Sequence, residues 1–260
     1  MTHSITTSPD SRRNRILDLL KKHGECSIDM LADEFGVSGM TIRRDLQELC
    51  DSNKAIRTHG GAAPAARISF EFRFLERSQQ NASEKRKIAE IATALIQPGD
   101  SVLLDSSTTT LQIAKHLKHI QDLRVITTSL PIASELFGLD NIDVIIIGGQ
   151  LRKDSPDLIG AITDNNLDLL RADIAFIGVD AIDLQGNLYN NSPDLGRMLK
   201  RMSSAALRVY AVADHSKIDR TSLMRFGNLR DWQGLITDSL LDKNATKRLE
   251  STGVKILQAQ

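Results

Sequence analysis

The chain has 260 residues, with 33 Lys and Arg against 33 Asp and Glu, so global charge points to no polyanionic or acidic partner and any basic surface must be local. Hydrophobic residues make up 41% and aromatics 4%, enough for a sizeable aliphatic core in one or two domains of roughly 150 residues. Cys26 and Cys50 form neither a disulfide framework nor a metal-ligand spacing, no apolar run reaches the ~18 residues of a membrane helix, and Met1 to Asp10 is too polar for an export signal. A cytoplasmic protein with reduced thiols, and with no membrane, metal or cofactor, is expected.

The predicted elements begin with a helix from Arg13 to Lys22 carrying Ile16, Leu19 and Leu20. Ser27 is placed to cap a second helix, whose Ile28, Leu31, Ala32 and Phe35 follow the spacing of one buried face. Gly36 suits the left-handed residue at its end. Ser38 then caps a third helix, Met40 to about Leu49, completing a helix-turn-helix. At 100° per residue, Ile42, Leu46 and Leu49 share the inner face. Arg44 lies nearly opposite Ile42, with Met40, Thr41, Gln47 and Glu48 on the same outward arc and Arg43 at its edge. A helix fits the major groove and an arginine can hold a guanine edge with two hydrogen bonds. Taken alone, an Arg-Arg-Asp run reads first as a solvated charged face. Asp51-Ser52-Asn53 is turn-like, Ala55 to His59 alternates as a strand, and Gly60-Gly61 allows a reversal. Such a hairpin would be a wing, with Arg57 and His59 near phosphates; by itself His59 reads first as an ordinary hairpin surface residue.

Residues 62–83 read as a linker, opening on Ala62-Ala63-Pro64 and running through Phe70, Phe72 and Phe74 in alternation with charges, as an extended segment would. From Glu84 the pattern changes. Apolar runs around Val102, Val125, Val144, Ile174 and Val209 alternate with amphipathic stretches at 84–96, 111–119 and 163–170. Short buried strands alternating with helices predict an α/β domain with a mostly parallel sheet. The predicted division is 1–61 winged helix-turn-helix, 62–83 linker and 84–260 α/β domain.

Polar clusters recur where all five of these strands should end, the place where open α/β sheets bind ligands. The first, Asp105-Ser106-Ser107-Thr108-Thr109-Thr110, precedes a helix; hydroxyls and free N–H groups there favour an anion, and five hydroxyl residues exceed what a simple cap needs. Thr127-Thr128-Ser129, Gly148-Gly149-Gln150-Leu151-Arg152, Gly178 to Asp183 and Asp214 to Lys217 follow in order. Asp105, Asp180 and Asp214 suit sugar hydroxyls; Lys217 and Arg152 suit a phosphate.

The block Val37 to Leu46, followed by Arg57-Thr58-His59-Gly60-Gly61-Ala62, strongly resembles the DeoR family of bacterial transcription regulators, and the resemblance runs from about residue 12 to 257. It implies a repressor of a sugar or carbohydrate operon, with double-stranded operator DNA on Ser38, Met40, Thr41, Arg43, Arg44, Gln47, Arg57 and His59. It further implies a sensor domain, similar in fold to ribose-5-phosphate isomerase, that binds a phosphorylated sugar and thereby weakens DNA binding. Asp105, Ser106, Ser107, Thr108, Thr109, Thr110, Thr128, Gly149, Arg152, Asp180 and Lys217 are the residues that would hold this effector. Four positions depart from the family pattern: Ser107 where the family loop has Gly, Thr128 in an Asn position, and Leu195 and Leu199 where the family has an acidic residue and a Lys or Asn. The two leucines would add apolar surface at the ligand. A competing reading is a sugar-phosphate isomerase with an accessory DNA-binding domain, with Asp180 or Asp183 as base; a third is an oligomeric scaffold with a vestigial pocket. One winged module spans few bases, so a homodimer or homotetramer is expected.

Overall fold

A computed structural model describes residues 9–52, 54–58, 60–64 and 74–259. The chain divides into two compact units, Met1–Leu75 and Glu76–Gln260.

The first unit holds α1 (Pro9–His23), β1 (Cys26–Ser27), α2 (Ile28–Phe35), α3 (Gly39–Asp51), β2 (Ala55–Arg57) and β3 (Gly61–Pro64). The predicted caps form: the Met30 amide donates to Ser27 Oγ at 3.1 Å and the Thr41 amide to Ser38 Oγ at 3.2 Å. Gly36 closes α2 at φ 62°, where a side chain would be strained. Ile16, Leu20, Leu31, Ile42, Leu46 and Leu49 are buried together, each removal from water contributing roughly 1.5–3 kcal/mol. The wing is a sheet of three strands, with β3 between β1 and β2. Residues 62–64, expected in the linker, are part of β3, because Ala62 and Ala63 are buried. Gly61 is required by proximity, since a Cβ there would stand 2.0 Å from the Cys26 carbonyl oxygen. Phe74, expected in an extended run, is helical with residues 75–79; Phe70 and Phe72 lie outside the described residues.

The second unit is built on a seven-stranded, wholly parallel sheet. After α4 (Ala82–Thr93) come β4 (Ser101–Leu104), α5 (Thr108–His116), β5 (Leu123–Thr127), α6 (Leu130–Leu136) and β6 (Ile142–Ile146). A hairpin of β7 (Gln150–Leu151) and β8 (Leu158–Ile159) leads to α7 (Ala161–Asp168) and β9 (Ala172–Gly178). Then follow β10 (Ala181–Ile182), β11 (Asn187–Asn190), α8 (Pro193–Ser204), β12 (Ala206–Val212), β13 (Met224–Asn228), β14 (Gly234–Thr237), α9 (Lys243–Ser251) and β15 (Ile256–Gln258). The order is β15-β14-β12-β9-β4-β5-β6, with β10, β11 and β13 forming a separate antiparallel sheet. Strands covered on both faces carry continuous apolar runs. Leu103, Ala175, Ile177 and Ala211 accordingly pack with Met198, Leu199 and Met202 of α8 in one core. The chain builds β4, β5 and β6 in one direction, then returns to place β9 on the other side of β4. The gap beyond the ends of β4 and β9 is therefore the topological switch point, where such sheets open a crevice.

Candidate functional site

Ser38, Met40, Thr41, Arg43, Arg44 and Gln47 all lie on α3 or its cap. Ser38, Met40, Arg43, Arg44 and Gln47 are exposed and Thr41 half-buried. Asp45, between the two apolar anchors of the inner face, is buried, and its carboxylate accepts from Arg12 Nε of α1 at 2.6 Å. This ion pair fixes the rotation of α3, so the arginines can point only outward. Arg57 is exposed but is not a free wing-tip cation: it donates to the Arg43 carbonyl at 3.0 Å and to Gln47 Oε1 at 3.2 Å. The wing strand is thereby tied to α3 at Arg43 and Gln47. His59 lies outside the described residues.

In the second unit, a cleft of about 60 Å³ opens at the switch point. Ser107, Thr108 and Thr109 line it from the loop after β4, Gly178 and Asp180 from the end of β9, and Asp214 and Lys217 from the end of β12. Ser107 has φ −75° and caps α5, accepting from the Thr110 amide at 3.1 Å. Its negative φ makes the absent glycine cheap here. Glycine is needed instead at the facing position, Gly178, where a Cβ would stand 2.4 Å from Ser107 Cβ. Asp180 accepts from the Asn191 amide at 3.0 Å, and Asp214 from Asn81 Nδ2 at 2.9 Å.

Six of the predicted effector residues do not line this cleft. Asp105 lies buried beneath the loop, accepting from Thr110 Oγ1 at 2.8 Å; burial pushes its carboxyl above the ordinary range, against hydrogen bonds from Thr110 and Ser107. Thr110 is likewise fully buried. Ser106 donates at 2.5 Å to Asp157, which is wholly buried, and Arg152 Nε reaches the same carboxylate at 2.8 Å. Arg152 is thus committed to a buried carboxylate that needs a cation, and is not free to balance a phosphate. Thr128 is fully buried next to this group, its carbonyl accepting from the Leu158 amide. Gly149 serves close packing, since a Cβ there would meet Thr163 Oγ1 at 2.0 Å. Leu195 and Leu199 also depart from expectation: Leu199 is buried in the α8 core and Leu195 packs against it, so neither lines the cleft.

The residues that sequence reasoning missed are Arg77, Gln80 and Lys85, which complete the cleft wall. Arg77 and Gln80 fall in the predicted linker, and Lys85 in a run of charges, Glu84 to Lys87, that reads as a solvated helix face. A larger hollow of about 640 Å³ lies at the other end of β12, lined by Lys200, Arg225 and Trp232 among others; it lies away from the switch point and contains none of the predicted residues.

Residues 12–67 match the DeoR-like helix-turn-helix domain and residues 80–239 match the DeoR C terminal sensor domain. The chain belongs to the DeoR family. Its relatives within DeoR include the HTH-type transcriptional regulator GlpR of Haloferax volcanii, 34% identical over 96% of this chain and 97% of that one. Another is the glycerol-3-phosphate regulon repressor of Escherichia coli K12, 31% identical over 88% and 90%. Among solved structures, ribose 5-phosphate isomerase A of Methanocaldococcus jannaschii covers 53% of this chain and 55% of its own at 19% identity, with a TM-score of 0.39. This DeoR protein is a DNA-binding transcriptional regulator. No helix among the described residues is long and apolar enough to cross a membrane.

Proposed function

We propose that this regulator represses an operon for sugar or carbohydrate use, and that a phosphorylated sugar or related metabolite in the switch-point cleft lowers its operator affinity. The observation that carries the effector reading is convergence. The hydroxyl-rich N-terminus of α5 and the cations Arg77, Lys85 and Lys217 open on one cleft, and unpaired N–H groups and the helix dipole add to the cations in favouring an anion. Ser107, Thr108, Thr109 and Lys217 are the proposed anion contacts and Asp180 the contact to a polyol. Ser106, Thr128, Gly149 and Arg152 act on this reading as support for the neighbouring loops, and Asp105 and Thr110 hold the anion loop from beneath. The glycerol-3-phosphate regulon named for one relative supports a phosphate monoester as the ligand class. On the DNA side, Arg44 reads base edges, Arg43 and Arg57 approach phosphates, and Ser38, Met40, Thr41 and Gln47 complete the surface.

The protein acts without catalysis on this reading. Asp183, one candidate base of the isomerase alternative, accepts from the Gln185 and Asn187 amides, Asn187 Nδ2 and Tyr189 OH, which commits it to a turn. A thermal-shift screen of the full chain against sugar phosphates tests the proposal, because a ligand of the folded state raises its melting temperature. A rise with at least one phosphate ester, and none with the parent sugar, is expected; no rise across the panel contradicts it. The assembly is proposed to be a homodimer or homotetramer, and light scattering that finds only monomer at micromolar concentration removes that part.

A further inference from the structure

Lys85 is the least ordinary cation in the second unit. It lies in the second turn of α4, is 5% exposed, and yet lines the cleft. Its ammonium donates to the carbonyl of Arg77 and, at 2.7 Å, to that of Gln80. An ammonium has three donors, and among the described residues no third acceptor meets this one. Two neutral carbonyls do not cancel a buried charge. The cleft carboxylates are engaged elsewhere, Asp180 by the Asn191 amide and Asp214 by Asn81 and Ser216. Burial, with Lys217 and Arg77 nearby and opposed by Asp214 and Glu84, lowers the Lys85 ammonium to about 8.

The carbonyls that Lys85 holds belong to residues 76–81, the first stretch of the second unit. Two further ties fix that stretch to the cleft wall. Thr108 Oγ1 donates to the Arg77 carbonyl at 3.4 Å, and Asn81, in the left-handed region at φ 52°, donates to Asp214. Thr108 and Asp214 are themselves cleft residues.

We infer that Lys85 is the buried cation that receives the anionic end of the effector and, through Arg77 and Gln80, ties the bound ligand to residues 76–81. The inference rests on the effector reading above and adds to it the residue that supplies the charge and the segment that registers occupancy. The anion takes the third N–H of Lys85, completes its donor set, and stiffens the stretch through which the chain continues toward its DNA-binding unit.

Sulfate is the test probe, because its charge does not change near neutrality. Titration calorimetry on the full chain at pH 8, in two buffers of different ionisation enthalpy, counts protons taken up with the anion. With its ammonium lowered to about 8, Lys85 is only partly protonated at that pH, and a bound anion raises its protonation, so net proton uptake with sulfate is expected. Lys85→Arg, which keeps the charge but cannot titrate, should bind sulfate within about threefold of wild type and take up none. Sulfate should also slow amide exchange across residues 76–85 in wild type and not in Lys85→Met. Binding without uptake, or uptake undiminished in Lys85→Arg, overturns the role of Lys85 while leaving the effector reading in place. Failure of both sulfate and glycerol 3-phosphate to bind at millimolar concentration overturns the two together. Should Lys85→Met not fold, the wild-type proton count and Lys85→Arg still decide.

Discussion

Arg44 projects from α3 on the side opposite the buried Ile42, free of any role in the core. Arg44→Ala should cost about 1–3 kcal/mol of specific operator binding, with the circular dichroism and melting of the protein unchanged. Unaltered affinity in a fluorescence-anisotropy titration would show that another surface reads the DNA. The angular position of Arg44 was legible because an α-helix repeats every 3.6 residues and the apolar anchors declare the inner face. The fate of Arg152 was not. A guanidinium after Gly-Gly at a strand end reads as a phosphate ligand, and only the fold reveals that Asp157 is wholly buried and takes that charge. Lys85 erred in the opposite direction, because three of its neighbours in sequence are charged and nothing local marks it as the one that turns inward.

At the scale of the element, α3 is held by more than its apolar stripe. The Arg12–Asp45 pair joins α1 to α3 with side chains 10% and 6% exposed, and breaking such a buried pair removes a charge-assisted hydrogen bond between the two helices. Asp45→Ala should therefore destabilise the first unit by about 3 kcal/mol and lower operator affinity without any loss of a DNA contact. Calorimetry should show the loss in the transition of the first unit alone; a melting curve identical to wild type would mean that the pair contributes nothing. The elements legible in the sequence were those with strong local signals: α2 through its caps, and β4, β5, β9 and β12 through apolar β-branched runs. Those missed lacked such signals. β1 and β15 are two and three residues long and exist through pairing with distant strands, and β3 hid in an Ala-Pro stretch that composition assigns to a linker.

The whole molecule carries a helix-turn-helix and, in its second unit, a cleft at the switch point of a parallel sheet. The strand order β12-β9-β4 puts that cleft where three strand ends and the α5 N-terminus meet. This convergence was foreseeable from the succession of polar clusters after strands, but the two clusters that enter the cleft with the first, those after β9 and β12, could not be separated from the two that do not. The distinction depends on strand order, which sequence order does not reveal: β5 and β6 lie on the far side of β4 from β9. The central claim is that one chain couples anion binding in this cleft to DNA binding. The most direct measurement is operator affinity of the full chain, by fluorescence anisotropy at fixed ionic strength, titrated with phosphate esters beside their unphosphorylated parents. At least one ester is expected to weaken binding tenfold or more, about 1.4 kcal/mol of coupling, while its parent sugar does not and Lys85→Met blunts the effect. Operator affinity that is indifferent to every ester, in a protein shown by thermal shift to bind one of them, would contradict it.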